Sequence, residues 1–422
     1  MIRAVKDHGM AEEGQFERSE ALLGAAAMRR LANLKVAVFG AGGVGGACAE
    51  ALVRTGLMHL EVVDFDVVAP SNMNRQVQAC PATVGRPKAE ALCERLLSVS
   101  PSARLTWRNE RYSASSGAFD FGACDVVVDA IDSVADKAAL VREALAAGAM
   151  VYSSMGAALR TDPTQVRVSK FSKVSGDGLA RALRQRFRKD GLGTPPDFLC
   201  VHSCELPRDI PVRGSVMQVT AAFGLALASL VTSPPVPKCR RVGVFGGSFN
   251  PVHSGHLRIA LQAIEDCRLD LVYVLPAKKN PFKTVLFDAG AAAEAERLGF
   301  ADDVRWRLVK RACAGHPRLV PCGIDLARGG VSFAIDTVRE IGAMHPGAEI
   351  FWIMGEDAAE GLPKWKDFDE LRRLCRFKAY PRTPESSTEV RRRLAAGEST
   401  AGLVPECVRE ELERLFGGRG GR

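Results

Sequence analysis

Two glycine-rich loops, one in each half of this 422-residue chain, constrain its fold more than any other feature. The first spans residues 40–45 and the second spans residues 246–256. Each follows a short apolar run, at 36–39 and at 242–245, and leads into a segment of helical pattern. A strand, a glycine loop and a helix in this order form a phosphate-binding unit of α/β proteins. Because the two loops differ in sequence, we predict two Rossmann-like, doubly wound α/β domains in tandem, and hence two fused enzymes.

The composition is that of a globular protein without a membrane-spanning segment. Hydrophobic residues make up 47% of the chain and charged residues 25%, and no apolar run approaches the ~20 residues that a membrane span needs. The N-terminus is charged and lacks the apolar core of a signal peptide, so we expect a cytoplasmic protein with no membrane partner. The 12 cysteines include no C-x-x-C pair, which leaves a tetrahedral zinc site without support. The net charge of +8 is a mild bias toward anionic partners.

Prolines and the alternation of apolar with amphipathic segments divide the chain. Proline neither continues a helix nor donates to a sheet, so the proline-rich stretch in the middle is expected to be an extended spacer. We predict a first domain at 1–232, a linker at 233–240, a second domain at 241–416 and a disordered tail at 417–422.

Local patterns also predict the main elements of each domain. Strands are expected at 36–39, 60–63, 125–130, 150–153, 242–245, 271–275, 319–321 and 350–353, and helices near 1–30, 255–266, 303–314 and 334–343. Residues 181–189 form a basic helical run. This run has two interpretations, a solvated helix face or a surface that binds the phosphates of an RNA.

The first loop suits a nucleotide. Gly40, Gly42 and Gly45 permit a tight turn, a close approach of the backbone to phosphate and close packing of the helix on the strand. Asp64, at the end of the next strand, is placed to bind a ribose hydroxyl. These residues alone also fit a plain NAD(P)-binding fold.

Three residues that follow later in the chain favour ATP over a dinucleotide as the ligand. Arg75 and Lys88 supply positive charge, which a departing pyrophosphate needs and hydride transfer does not. Asp132, just past the carboxyl end of a strand, is the candidate ligand of Mg²⁺.

With these residues in place, the first half resembles the ubiquitin-activating-like (ThiF) superfamily, in its tRNA threonylcarbamoyladenosine dehydratase branch. The resemblance covers residues 14–232, and its motifs lie at 16–24, 63–66, 71–76, 85–88, 153–157 and 162–164. It implies that ATP adenylates the threonyl carboxylate of a modified adenosine in tRNA. The carbamoyl group then attacks the activated carboxylate and closes a ring, with net loss of water.

The same resemblance implies a role for each residue of the site. ATP would be bound by the loop glycines, the ribose by Asp64 and the phosphates by Arg75 and its neighbours, while a homodimer would bring Arg18 to the partner's ATP. The residues assigned in this way are Gly40, Gly42, Gly43, Gly45, Asp64, Asn74, Arg75, Lys88, Asp132 and Arg18. Two alternatives stay open, an activator of a ubiquitin-like sulfur carrier and a non-catalytic RNA-binding domain.

The second loop ends in two histidines at the start of a predicted helix. His253 and His256 would face one phosphate group together with the helix N–H groups, and as donors they would stabilise the transition state in which pyrophosphate is displaced. Far downstream, Ser386, Ser387 and Thr388 offer hydroxyls and Arg391 a guanidinium for the β- and γ-phosphates.

The pairing of H-x-G-H with a late S-S-T-x-V-R is typical of the nucleotidylyltransferase superfamily, and residues 241–415 resemble nicotinate-nucleotide adenylyltransferases. The resemblance implies transfer of adenylate from ATP to nicotinate mononucleotide. It assigns the pyridine ring and its carboxylate to Thr337 and Trp365, and phosphates to Lys283. The remaining assignments are ATP binding by Gly246, Ser248, Phe249, Gly355 and Asp357, and substrate binding by Asn250.

One departure from that pattern precedes Ser386. Residues 380–384 run almost directly into it, where members of the family have a longer stretch with a strand. We therefore expect a working site in which the reach of Arg391 is altered. Pantetheine-phosphate adenylyltransferase and cytidylyltransferase activities remain the alternatives for this half.

Overall fold

The computed structural model describes residues 3–4, 14–113, 119–191, 195–212, 214–233, 239–281 and 300–416. These residues form two compact units, one within residues 1–235 and the other within residues 236–422. Most of the predicted linker and all of the predicted tail lie outside the described residues, so both stay predictions.

Strands and helices alternate along the first unit, as expected of an α/β domain. Its strands are β1 (Arg3–Ala4), β2 (Lys35–Phe39), β3 (His59–Val63), β4 (Arg104–Arg108), β5 (Val126–Asp129), β6 (Met150–Ser154), β7 (Val166–Lys170) and β8 (Leu199–Ser203). Its helices are α1 (Glu17–Leu23), α2 (Ala25–Asn33), α3 (Gly43–Thr55), α4 (Lys88–Val99), α5 (Val134–Ala146), α6 (Gly178–Lys189) and α7 (Met217–Thr232).

The described strands of this unit form one mixed sheet in the order β1-β4-β3-β2-β5-β6-β8-β7. β1 and β7 run antiparallel to their neighbours at the two edges, and the strands between them are parallel. The chain turns from one side of the sheet to the other between β2 and β5. Ligands of open α/β sheets bind at such a switch point, outside the carboxyl ends of the strands.

Both faces of this sheet are buried, which explains the apolar runs in its central strands. Along β2, Val36 and Val38 face one apolar core, and Ala37 and Phe39 face the other. Period-two alternation puts neighbouring side chains on opposite faces. Helices therefore cover the sheet on both sides, as in a doubly wound fold.

The second unit repeats this architecture with a smaller sheet. Its strands are β9 (Arg241–Gly247), β10 (Leu271–Pro276), β11 (Leu319–Pro321), β12 (Glu349–Gly355) and β13 (Arg376–Tyr380). Its helices are α8 (Ser254–Asp266), α9 (Asp302–Cys313), α10 (Ile324–Arg328), α11 (Ala334–Met344), α12 (Glu356–Ala359), α13 (Phe368–Leu374), α14 (Ser387–Ala395) and α15 (Glu406–Phe416).

The described strands of the second unit are all parallel, in the order β11-β10-β9-β12-β13. Its switch point lies between β9 and β12, so the loop after β9 and the residues after β12 meet at the same edge of the sheet. Apolar residues again fill cores on both faces. The predicted class, two Rossmann-like α/β sheets in tandem, is confirmed.

The sequence-based element boundaries hold to within a few residues for the buried strands. Three differences matter. Arg3–Ala4 pairs with β4 as an edge strand, so the prediction of a helix over 1–30 was wrong there. The inner strands β4 and β8 had not been predicted, and neither had the edge strands β7 and β13. Among the described helices, none combines the length and the hydropathy that a membrane crossing requires.

Candidate active sites

The first glycine loop connects β2 to α3 and packs against the end of β5. Gly40 has a φ of 95°, and a Cβ on it would lie 2.8 Å from the carbonyl oxygen of Ala130. A Cβ on Gly45 would fall 1.8 Å from the carbonyl oxygen of Gly40, so only glycine lets α3 pack this closely. A Cβ on Gly42 would meet no atom within 4 Å. Gly42 is therefore the loop position that leaves room for a ligand beside the backbone.

The half-buried Asp64 and the buried Gln78 hold this loop in place. Asp64, directly after β3, accepts hydrogen bonds from the N–H groups of Ala41 (2.6 Å) and Asp66 (2.8 Å). Burial raises the pKa of the Asp64 carboxyl, and these two bonds partly oppose the shift. On the other side, Gln78 Nε2 donates to the carbonyl oxygen of Ala41 at 2.6 Å. Gln78 was not singled out from the sequence.

A cavity of about 240 Å³ lies beyond the carboxyl ends of β5 and β6. Arg75 and Asp132 both line it, which brings together two of the residues predicted from the sequence. Other lining residues come from the end of β6 and the loop after it, the first turn of α6, and the start of α7 with the segment before it; they include Ser154, Met155, Gly156, Leu179, Ser215 and Thr220.

Short-range contacts hold Arg75 at the mouth of this cavity. Its guanidinium donates to the carbonyl oxygen of Ser71 at 2.9 Å and to Asn74 Oδ1 at 2.8 Å. Asn74 in turn donates through Nδ2 to the carbonyl oxygen of Ser215 at 2.9 Å. Asn74 thus links the predicted phosphate-binding segment to the residues that precede α7.

Two predicted residues do not line the cavity. Lys88, the first residue of α4, is buried, and its Nζ pairs with Asp66 Oδ2 at 2.7 Å. Asp66 lies next to the Asp64 loop contact, so Lys88 sits beside the expected ribose position. Arg18 is exposed on α1. Its predicted role across a dimer stays a prediction.

A buried ion pair behind the cavity ties β5 to β6. Lys137 Nζ lies 2.6 Å from Asp129 Oδ2, and neither side chain is exposed to solvent. Lys137 also donates to the carbonyl oxygen of Ser154 at 3.0 Å, and Ser153 Oγ donates to Asp129 at 2.6 Å. The residues that follow both strands line the cavity, so this cluster fixes its rear wall.

In the second unit, the two predicted histidines stack at the start of α8. His253 caps the helix and His256 is its third residue, with 3.6 Å between their ring centroids. The N–H of His253 donates to His256 Nδ1 at 3.2 Å, so a neutral His256 carries its proton on Nε2. Burial lowers the pKa of His253 to about 4. The His253 ring is thus neutral near pH 7, and both rings have a nitrogen that can donate a hydrogen bond.

The loop before the histidines leaves polar atoms without protein partners. Asn250 Oδ1 and His253 Nδ1 are buried and make no hydrogen bond to the described residues. Buried polar atoms of this kind are costly unless a ligand or water satisfies them. Phe249 has a φ of 42°, and its ring packs edge-on against His256. These features make the loop a candidate binding site.

Helix α14 brings the late serine-threonine motif to this loop. Ser386 caps the helix by accepting the N–H of Glu389 at 3.2 Å, and Ser387 Oγ donates to the carbonyl oxygen of Pro251 at 2.9 Å. Arg391 donates to the carbonyl oxygen of Asn250 at 2.7 Å. Strand β13 ends at Tyr380, directly before the short connection, and Arg391 still contacts the loop.

Comparisons with known proteins agree with this geometry. The family model described as the ThiF family matches residues 16–233, which is half of the chain. The chain belongs to the ThiF family. A second model, described as cytidylyltransferase-like, matches residues 244–393. The ThiF unit is thus followed by a second nucleotide-binding family on the same polypeptide.

Three similar proteins illustrate the two relationships. The tRNA threonylcarbamoyladenosine dehydratase of Bacillus subtilis is 38% identical over 183 residues, covering 42% of this chain and 70% of that protein. A probable nicotinate-nucleotide adenylyltransferase of Geobacillus kaustophilus is 35% identical over 201 residues, covering 43% and 88%. The E. coli tRNA N6-threonylcarbamoyladenosine dehydratase crystallised with ATP is 34% identical, covers 52% and 92%, and gives a TM-score of 0.47. Both resemblances drawn from the sequence are confirmed.

Three further predicted residues of the cytidylyltransferase-like unit lie apart from the histidines' immediate contacts. Thr337 is fully buried, and its hydroxyl donates to Asp325 Oδ1 at 2.6 Å. Trp365 packs edge-on against Trp352, which lies beside Gly246. Asp357, after Gly355 at the end of β12, pairs with Arg382 at 2.9 Å. The Thr337 hydroxyl can therefore donate to a substrate carboxylate only if that hydrogen bond opens.

The structure also shows a residue at the loop before the histidines, Arg305, that the sequence did not indicate. One predicted residue, Lys283, is not among the described residues. Arg305, buried on α9, donates to the carbonyl oxygen of Ser248 at 2.6 Å and so holds the loop from below. An arginine inside an amphipathic helix gives no such signal in the sequence.

The Mg²⁺ expected from the sequence has a limited set of protein ligands. Within the described ranges, no three His, Cys, Asp or Glu side chains come together as a metal cluster. Asp132 offers one carboxylate at the cavity. A single carboxylate suits a hard cation that takes its other ligands from phosphates and water.

Proposed function

We propose that the ThiF unit uses ATP to adenylate the threonyl carboxylate of threonylcarbamoyladenosine in tRNA and then cyclises it. A carboxylate oxygen attacks the α-phosphorus, and the bond to pyrophosphate breaks. The carbamoyl group next attacks the activated carbonyl carbon, loses a proton and expels AMP. The observation that carries this proposal is the shared cavity of Arg75 and Asp132 beside the glycine loop.

Each predicted residue has a task that follows from its position. Arg75 would balance the negative charge that develops on pyrophosphate. The Asp64 carboxylate keeps acceptor sites beyond its two main-chain bonds and would accept a ribose hydroxyl. Lys88 would contact phosphate, and Arg18 would do so across a homodimer. Asp132 would hold Mg²⁺, which neutralises phosphate charge when bound.

Pyrophosphate exchange tests this proposal. Wild-type protein is given ATP and labelled pyrophosphate with either tRNA that carries threonylcarbamoyladenosine or a ubiquitin-like sulfur carrier with a free C-terminal glycine. Label should enter ATP only with the tRNA, and the nucleoside should lose the mass of one water. Exchange that depends on the carrier would replace the proposal, and ATP binding without turnover would favour a non-catalytic RNA-binding domain.

For the second unit, we propose adenylyl transfer from ATP to nicotinate mononucleotide. A phosphate oxygen of the mononucleotide attacks the α-phosphorus of ATP, and pyrophosphate leaves without a covalent enzyme intermediate. The observation that carries this is the stacked pair His253 and His256 at the start of α8, with Arg391 contacting the same loop. The histidines and helix N–H groups would donate to the phosphates during the displacement.

Competing acceptors distinguish this reaction from its alternatives. ATP is supplied with nicotinate mononucleotide, nicotinamide mononucleotide or phosphopantetheine. A fourth reaction supplies CTP with a phosphorylated alcohol. The highest kcat/KM is expected with nicotinate mononucleotide. A higher value with any other acceptor would overturn the assignment, and Trp365→Ala should raise KM for the pyridine nucleotide more than KM for ATP.

A further inference from the structure

The five cationic side chains of α6 fall into two groups. Arg184 is half-buried, donates to the carbonyl oxygens of Phe171 and Val174, and lies over the Phe171 ring. Arg186 pairs with Asp190 at 2.8 Å. These two arginines are bound to the protein itself. Their hydrogen bonds and ion pair stabilise the helix and its packing.

The other three cations form one exposed face. Arg181, Arg188 and Lys189 are exposed, and in the described part of the chain their side chains have neither an acidic partner nor a hydrogen-bond acceptor. Residues three, four or seven apart share a helix face, so Gln185 lies between them and is also exposed. Ala180, Leu183 and Phe187 are buried beneath it, and the other two apolar residues of the helix, Leu179 and Ala182, are half-buried. This polar face lacks the large apolar side chains with which a helix enters a lipid surface.

The amino end of α6 is fixed to the wall of the ThiF cavity. Leu179 lines the cavity together with Arg75 and Asp132. Asp177 caps the helix, accepts the N–H of Gly156 at 3.2 Å and pairs with Arg160 at 3.1 Å, almost fully buried. At ~1.5 Å per residue, the helix carries its cationic face from the cavity to about 15 Å away.

We propose that Arg181, Arg188 and Lys189 bind the sugar–phosphate backbone of the RNA whose modified nucleoside occupies the ThiF cavity. The inference rests on the proposed function of that unit. Unpaired cations along a helix that starts at the active-site wall match a polyanion that enters the site at one nucleotide and continues past it. Contacts of this kind position the substrate and carry no sequence information.

The test uses a charge-neutral variant and a matched control. Arg181→Gln/Arg188→Gln/Lys189→Gln removes the three exposed charges. Arg29→Gln/Lys35→Gln/Arg104→Gln removes three other exposed charges of the same unit; two of them lie at strand starts, at the opposite edge from the cavity. Affinity for an anticodon stem-loop RNA is measured by fluorescence anisotropy over a range of salt concentrations, and ATP affinity is measured in parallel.

The α6 variant should bind the RNA at least about ten-fold more weakly at low salt, and its log–log salt slope should fall by about 2, since each single-strand phosphate contact contributes ~0.7. Its ATP affinity should equal that of wild type, and its KM for modified tRNA should rise while kcat at saturation stays unchanged. The control should keep the wild-type slope. If the wild-type protein converts tRNA, an unchanged salt slope and an unchanged KM in the α6 variant would overturn the inference. Failure of the wild type itself to convert tRNA would instead overturn the proposed function.

Discussion

His253 is a buried imidazole whose ionisation is coupled to folding. Burial lowers its pKa from 6.5 to about 4, so the unfolded chain takes up a proton at a higher pH than the folded one. The stability that depends on neutral His253 is complete above about pH 6.5 and is lost as the pH falls toward 4, by up to about 3 kcal/mol.

The pH dependence of urea unfolding measures this coupling. The second unit of wild-type protein should lose stability between about pH 6.5 and 4, and His253→Asn should lose less over the same interval. If both proteins show the same pH dependence, His253 is not the group responsible.

The pair Lys137–Asp129 combines a structural and a positioning role behind the ThiF cavity. Replacing one partner leaves the other charged and buried, which costs about 3–5 kcal/mol. We therefore expect Lys137→Met to destabilise the first unit by that amount, and Lys137→Met/Asp129→Asn to recover part of it. The exposed pair Lys170–Asp197 at 3.0 Å is the control, where Lys170→Met should cost less than about 1 kcal/mol. Equal losses at the two lysines in urea unfolding would contradict this account.

Sequence patterns could identify Arg75 and Asp132 but not the residues that support them. Arg75 and Asp132 stand in recognisable motifs, and the structure brings them to one cavity. Lys137 and Arg305 lie in amphipathic helical segments, where a cation indicates a solvated face. Only tertiary packing places Asp129 beside Lys137 and the Ser248 carbonyl beside Arg305. For the same reason, the burial of Thr337 could not be read from its motif.

Among the elements, the apolar strands at the centre of each sheet were predicted, whereas the inner strands β4 and β8 and the edge strands β7 and β13 were not. Both faces of β2 and β9 are covered, so their sequences are continuously apolar. The edge strands β7 and β13 are exposed at several positions and carry Arg167, Lys170, Arg376 and Lys378. Their period-two pattern is too short and too polar to distinguish a strand from a loop.

Helix α8 approaches the segment before α14 through Gly255. A Cβ on this residue would lie 1.9 Å from Thr383 Oγ1 and 2.9 Å from Thr383 Cβ. The glycine therefore serves the close packing of two elements. The short connection before Ser386 is part of the packing that brings α14 to the histidines.

We expect Gly255→Ala to destabilise the second unit by about 1–3 kcal/mol, because the added methyl group forces this segment away from α8. Thr383→Ala removes Oγ1 and should recover part of the loss in the double variant. Dinucleotide synthesis should follow the same order as stability. Additive effects of the two substitutions in denaturant unfolding would show that the two sites are independent and would contradict the contact.

For the whole molecule, the sequence is decisive in one respect: two unrelated phosphate loops require two sheets. Each sheet places its loop at its own switch point, β2/β5 in one unit and β9/β12 in the other. Among the described residues, the side chains named above at each loop belong to the same unit as that loop. We therefore expect the two proposed activities to be separable by substitution.

The most direct test of this account is a paired assay of both products from one preparation. Arg75→Gln should abolish loss of water from modified tRNA and leave dinucleotide synthesis at the wild-type rate. His256→Asn, whose amide oxygen replaces the Nδ1 acceptor, should lower dinucleotide synthesis about 10²–10³-fold and leave tRNA conversion intact. Loss of both products in either variant, or a wild type that forms only one, would contradict two independent ATP-using sites.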